Sequence, residues 1–304
     1  LKVGDIMGAV QQPEVTLADR IERAGVSGSL GDWLIRAFAY FCLTLIALTM
    51  VTPFLWMIAT SFKGPTEIRQ PNFFPKTVII DNYEKVLFET DLPRWYLNSL
   101  IVATFSTLSV AVFDSLAGYV FAKYQFPGKR FIFIMFLSSL MIPTEMLIIP
   151  WYIMSVNPPI GSTWVNTYWG IAFPGLITAA GIFLMRQFMQ GVPDELLDAG
   201  RIDGVSEFGL FWRIAIPLSL PAVGALCIFN FLGNWNSFIW PLIVTSDRAM
   251  MTLPVGLQFF SSEAGADWHL IMTGATLSIV PLLAIVIFFQ RYIIEGITLT
   301  GLKG

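Results

Sequence analysis

Residues 37–62 read AFAYFCLTLIALTMVTPFLWMIATSF, a run of 26 without a charged side chain. A helix needs about 20 mainly apolar residues to cross the hydrocarbon core of a bilayer. This run is long enough to span, and too long for the roughly 7–15-residue core of a secretory signal. It is expected to remain in the membrane, and no cleavable signal is read in the mixed, polar residues before it. Five further stretches qualify, near Leu97–Ala122, Phe131–Met154, Tyr168–Met189, Pro217–Val244 and Leu270–Tyr292. The whole chain is 55% hydrophobic and 13% charged, about half the charge of a soluble domain. Too few polar groups exist to cover a water-facing surface, so lipid must solvate most of the chain. The expected fold is an all-α integral membrane protein with six transmembrane helices. Pro53, Pro143, Pro150, Pro174, Pro241 and Pro281 lie in these stretches, and kinks are expected there.

Lys and Arg orient the chain, because loops on the cytoplasmic side carry the excess. With the N-terminus inside, 12 of the 18 Lys and Arg fall in inner segments and 6 in outer ones. Both termini are therefore expected in the cytoplasm. The outer segment Lys63–Tyr96 is rich in aromatics and prolines and is expected to fold against the outer face. Residues 1–33 read as a cytoplasmic arm, 34–293 as the membrane domain and 294–304 as a cytoplasmic tail. The net charge of −3 and the lack of a long basic run exclude a nucleic-acid partner. Cys42 and Cys227 sit in apolar stretches as small hydrophobes, and the single His269 beside Trp268 reads as an interfacial anchor.

One segment between the fourth and fifth stretches does not belong in lipid. Gly191–Pro221 reads GVPDELLDAGRIDGVSEFGLFWRIAIPLSLP. Pro193 followed by Asp194 and Glu195 is a helix start, with negative charge at the positive end of the helix dipole. Gly204 permits a sharp turn, Val205–Ile214 carries the apolar pattern of a second helix, and Pro217 is read as opening the next span. Residues 190–216 thus form a cytoplasmic helix-turn-helix loop. Its apolar face suits a docking element for a cytoplasmic partner and equally an amphipathic pair lying on the inner leaflet.

The spacing here resembles the loop motif of ABC importer permeases. Asp198-Ala199-Gly200, three residues, Gly204, nine residues, Ile214, one residue and Ile216-Pro217 parallel the family's Glu-Ala-Ala, Gly, Ile and Leu-Pro at the same intervals. Asp198 keeps the charge of Glu, while Gly200 and Ile216 are small or apolar replacements; Gly200 lowers helix propensity by up to about 1 kcal/mol. Further short resemblances to the carbohydrate branch, the maltose-type second permease, run in order along the chain. They are Asn98-Ser99-Leu100, Ala117-Gly118-Tyr119, Met141-Ile142-Pro143, Trp235-Asn236, Thr252-Leu253-Pro254-Val255-Gly256-Leu257 and the tail Gln290-Arg291-Tyr292 through Gly301-Leu302-Lys303-Gly304.

The resemblance implies a permease subunit of an ATP-driven, binding-protein-dependent importer in a prokaryotic inner membrane. It would form half of an alternating-access pathway for a sugar or sugar-like solute. It implies a second homologous permease, two ATP-binding subunits that hold ATP and Mg, and an extracytoplasmic solute-binding protein. No cofactor is expected on this chain, since Pro127-Gly128-Lys129-Arg130 lacks the leading Gly and the hydroxyl of a phosphate-binding loop. Glu195, Asp198, Ala199, Gly200, Asp203, Gly204, Ile214 and Pro217 would carry ATPase coupling, and Gly301, Lys303 and Gly304 a second ATPase contact. Sugars take polar side chains and aromatic faces together. The pathway candidates are therefore Asn230, Asn234, Trp235 and Asn236, with the intramembrane carboxylates Glu145 and Asp114. Asp114 pairing inside the bundle and Glu145 satisfying backbone donors freed by Pro143 are the structural alternatives. A channel or secondary carrier also fits six spans but does not need the projecting loop. An intramembrane enzyme lacks a nucleophile–base pair or a His-rich metal pattern.

Overall fold

The computed structural model describes residues 30–263 and 267–301. The arm before residue 30 and Lys303 and Gly304 of the tail lie outside the described residues. All regular structure among the described residues is helical. The chain divides into two units, residues 1–56 and 57–304.

Helix α1, Leu30–Ser61, carries Pro53 without a break. Its apolar side chains, Trp33, Phe38 and Phe41 among them, are exposed.

In the second unit, α2 (Asp81–Phe88) precedes the long α3 (Leu92–Lys123). Then follow α4 (Lys129–Ser139), α5 (Ile148–Val156), α6 (Tyr168–Ala172) and α7 (Ala179–Met189). The loop helices are α8 (Asp194–Ile202) and α9 (Glu207–Leu210). Next come α10 (Leu220–Trp235), α11 (Ile239–Val244), α12 (Leu253–Glu263) and α13 (Trp268–Gly301). Among the described residues, three helices are long and apolar enough to cross a membrane, within α1, α3 and α13. Three more stretches qualify only as bent pairs: 97° between α4 and the Thr144–Val156 segment, 45° before α7, and 82° before α10.

The prolines explain part of this. Pro217 and Pro221 stand four apart, so Pro221 has no N–H to give the Pro217 carbonyl and its ring crowds that same oxygen. The helix breaks at Ser219, between Ile216–Leu218 and α10. Pro217, read from sequence as opening the fifth span, thus stands in the short helix before the break, and the long helix α10 begins at Leu220. Upstream, the turn Phe211–Ala215 is π-helical, where Pro217 cannot bond back to Arg213. Pro281, by contrast, sits inside the continuous α13.

Helix α3 is the centre of the unit and packs along α7 and α10. Its close approach to α7 rests on Gly118, where a Cβ would lie 2.6 Å from the Met185 Cβ and 2.8 Å from the Arg186 backbone nitrogen. The core at one end of α3 gathers Trp95, Phe231, Trp235 and Leu253, and the core at the other gathers Tyr119, Met185, Leu210 and Phe211. In the segment 63–96, Asn82 Nδ2 donates to the carbonyls of Ser61 and Lys63 at 2.8 and 2.9 Å, and the buried Lys63 donates to the Asn72 carbonyl. His269, expected at the interface, is buried, because α13 packs against α2 at this end.

Gly118→Val forces the α7 backbone to shift and should cost about 1–3 kcal/mol, read as a lower Tm of the detergent-purified protein. Gly233 on α10 has nothing within 4 Å of a Cβ. Gly233→Ala should therefore be neutral or stabilising by up to about 1 kcal/mol.

Candidate functional site

The loop between α7 and α10 is built from local signals. Pro193 stands at the cap of α8, with Asp194 and Glu195 in the first turn. At its other end Gly204 takes φ 77°. The Gly204 N–H donates to the Arg201 carbonyl at 3.0 Å and the Val205 N–H to the Gly200 carbonyl at 2.9 Å, a Schellman closure that requires a left-handed residue at the glycine. Ser206 then caps α9, its Oγ accepting from the Gly209 N–H at 3.2 Å. Gly200 is buried, and a Cβ on it would lie 2.5 Å from a Leu210 methyl and 3.1 Å from an Ile214 methyl. The glycine that weakens α8 in isolation thus lets it pack on the segment that follows.

Two residues that sequence reasoning missed tie this loop to α3. Lys123 Nζ donates to Asp194 Oδ1 at 2.6 Å, and the Tyr124 hydroxyl donates to Glu207. Arg201 joins the loop to itself, bonding Asp198 at 2.7 Å and Glu207 at 2.8 Å. The signal was a Lys-Tyr pair just where a span ends; nothing local names its partners some 70–80 residues on. Lys123 holds the Asp194 carboxyl below its ordinary value, and Arg201 and then Tyr124 do the same for Glu207. The Glu207 and Asp198 carboxylates push Arg201 up. Burial, then the Glu207 carboxylate, raises Tyr124, so it remains a protonated donor.

The other loop candidates, Glu195, Asp198, Ala199, Asp203 and Gly204, are exposed, and Ile214 is half-buried. Apolar side chains stand exposed beside them: Ile202 by 87%, Phe208 by 62% and Leu196 by 46%. Pro217 is exposed in the turn before α10.

The pathway candidates do not converge on one place. Asn230 and Asn234 are joined, Asn234 Nδ2 donating to Asn230 Oδ1 at 2.9 Å, with Thr107 Oγ1 of α3 donating to the same oxygen at 3.3 Å. Trp235 is buried, stacked on Phe231 at 5.8 Å and edge-on to Tyr96 at 5.2 Å, with its indole N–H given to the Ser278 carbonyl at 3.2 Å. It has no free face for a sugar. Asn236 is exposed and donates to the Leu232 carbonyl at 2.8 Å. Glu145 is exposed at the bend after α4. Asp114 is fully buried and accepts from the Thr178 N–H at 3.1 Å and the Thr178 hydroxyl at 2.7 Å. Thr178 in turn caps α7. This is the structural arrangement that a buried carboxylate needs, and it holds the 45° bend in place. Gly301 ends α13.

Two predictions concern the loop. Gly204→Val forces a β-branched residue into the left-handed region, at about 1–2 kcal/mol, and should unprotect the Val205 amide in hydrogen exchange. Gly204→Asn, which tolerates that region, should do so less. The second is pH dependence. Asp194 and Glu207 have lower values folded than unfolded, so their contribution is present above the ordinary carboxylate range and is lost as pH falls through the folded values. Rate-corrected protection of the loop amides should be flat from about pH 7 to 5 and fall below about pH 4. In Asp194→Asn/Glu207→Gln that fall should be absent.

Comparison with known proteins identifies the family. Residues 114–298 match the family model described as binding-protein-dependent transport system inner membrane component. The chain is 36% identical over 279 residues to the arabinooligosaccharides transport system permease protein AraQ of Halalkalibacterium halodurans, covering 90% of this chain and 97% of that one. It is 32% identical to the trehalose/maltose transport system permease protein MalG of Thermococcus litoralis, covering 86% and 94%. A chain in the crystal structure of a bacterial ABC transporter for import of the acidic polysaccharide alginate shares the fold, with a TM-score of 0.77 at 19% identity over 87% of this chain and 98% of that one. The chain belongs to the family of inner-membrane components of binding-protein-dependent transport systems, and is a permease subunit of an ABC importer.

Proposed function

We propose that the loop of α8 and α9 docks on an ATP-binding subunit and couples its hydrolysis to the passage of a sugar or sugar-like solute. The observation that carries this is the exposed apolar surface of Ile202, Phe208 and Leu196, on a loop rigidified by the Schellman turn and anchored to α3 by Lys123 and Tyr124. A pair lying passively on lipid would not need an ion pair and a hydrogen bond to the end of α3.

In this reading α1, α3, α13, the bent pairs ending in α5 and in α7, and α10 continued by α11 make six spans, with the loop and both termini in the cytoplasm. The excess of Lys and Arg in the corresponding segments supports that orientation. The assembly comprises this chain, a second homologous permease, two ATP-binding subunits holding ATP and Mg, and an extracytoplasmic solute-binding protein. The carbohydrate named for both relatives supports the substrate class. Within the bundle, Asn230, Asn234 and Thr107 form the one joined polar group among the pathway candidates, and they are the preferred contacts for an uncharged solute. The tail ending in Gly301, Lys303 and Gly304 supplies a second ATPase contact.

Ile202→Asp changes a side chain that touches little of its own chain. It should leave the stability within about 0.5 kcal/mol of the wild type while abolishing copurification of the ATPase and solute uptake. An Ile202→Asp chain that still copurifies the ATPase and transports would remove the docking role. Asn230→Ala should lower uptake with the ATPase still bound; unchanged uptake would take Asn230 out of the pathway.

A further inference from the structure

Just past the end of α3, a cavity of about 960 Å³ is lined by Gln125, Phe126, Lys129, Arg130, Phe133 and Arg186, among others. Three of these are cations, and no carboxylate lines the space. Lys129 Nζ donates to the Tyr124 carbonyl at 2.7 Å, and Arg186 Nε to the Phe121 carbonyl at 3.3 Å. The Arg186 guanidinium lies 4.2 Å from the centre of the Phe133 ring. None of the three has an ion-pair partner among the described residues. The contrast with their neighbours is informative: at the same end of the bundle Lys123 and Arg201 are matched with carboxylates of the chain. Cations gathered without a counter-charge repel one another, and an anion in the cavity would relieve this. Helix α4 begins here at Lys129 with no side-chain cap, which adds the partial positive charge of its first N–H groups.

From this cluster α4 continues as an apolar, exposed surface, with Phe131 at 68% and Ile134 at 49%, which also line the cavity, and Met135 at 58%. Charge at one end of a lipid-facing helix and bare hydrocarbon along it match the two parts of a phospholipid. The volume lies within the roughly 300–1,000 Å³ of ordinary ligand sites. We propose that this cavity binds the phosphate headgroup of an anionic phospholipid, with its acyl chains along α4. The leaflet is the cytoplasmic one, which rests on the orientation given above. Basic pockets between helices at that surface are suited to such headgroups.

The test uses the assembled importer, delipidated in detergent and titrated with phosphatidylglycerol or phosphatidylcholine under native mass spectrometry. The wild type should prefer phosphatidylglycerol, and neutralising each cation should weaken that lipid about fivefold, from about 1 kcal/mol per charge near a membrane surface. Arg130→Gln, an exposed position, tests this without disturbing packing, and Lys129→Gln/Arg130→Gln/Arg186→Gln should lose one bound phosphatidylglycerol per chain. Arg130→Lys should retain it. Equal binding of the two lipids by wild type, or unchanged binding by the variants, overturns the proposal. So does displacement by soluble glycerol phosphate at the lipid's own affinity, which would mean that the acyl chains add nothing. Loss of a partner subunit from the triple variant with its lipid count intact overturns it too, since a partner's carboxylates would then fill the cavity. Gln125→Cys in a Cys42→Ser/Cys227→Ala background, labelled by an impermeant maleimide in right-side-out and inverted vesicles, reports the leaflet separately. Labelling from outside would overturn the orientation and the leaflet while the headgroup site stood.

Discussion

Lipid offers no hydrogen bonds, so a chain that crosses it must satisfy its polar groups from within. Helix α3 is where this requirement concentrates. Near one end, Asn98 donates to the carbonyls of Ala249 and Met251 at 2.9 and 2.8 Å and accepts from the Tyr168 hydroxyl at 2.8 Å. In its middle Asp114 is satisfied by Thr178, and beyond its other end Lys123 and Tyr124 meet the loop. Each bond joins α3 to a segment distant in sequence. The helix is therefore the frame on which the bent and broken elements are hung.

The membrane character was legible because it depends on composition and run length alone: residues 37–62 need no partner to be read. The turn at Gly204 was legible too, since a helix start at Pro193 and a glycine one residue past the helix cap are local chemistry. What escaped was long-range. Trp235 looked like a sugar platform because an aromatic beside two amides suits one, yet its indole N–H is spent on Ser278 and its ring on Phe231 and Tyr96. The Lys123–Asp194 bond could not be read from either end alone. The break at Ser219 was readable in principle from the four-residue spacing of Pro217 and Pro221, had the second proline been weighed against the carbonyl of the first.

Gly200 shows why a departure from a family pattern need not weaken what the pattern does. Judged by helix propensity it destabilises α8; judged by contact it admits Leu210 and Ile214. Packing outweighs propensity here, as it commonly does once a helix has a neighbour. The same trade recurs at Gly118, where the missing side chain brings α3 and α7 together.

Helix α3 runs unbroken for 32 residues, about 48 Å at 1.5 Å per residue, while its neighbours bend by 45° and 82°. It is fastened at one end to the segment around Arg248–Leu253 and at the other to α8 and α9. A rod held at both tips converts a displacement of one into a tilt or slide of the other, with no joint along its length to absorb it. The helices beside it bend at Ser219 and at Thr178, the second bend being fixed to the rod by Asp114. Load applied to α8 and α9 therefore reaches the segment around Arg248–Leu253 along a single unbroken helix.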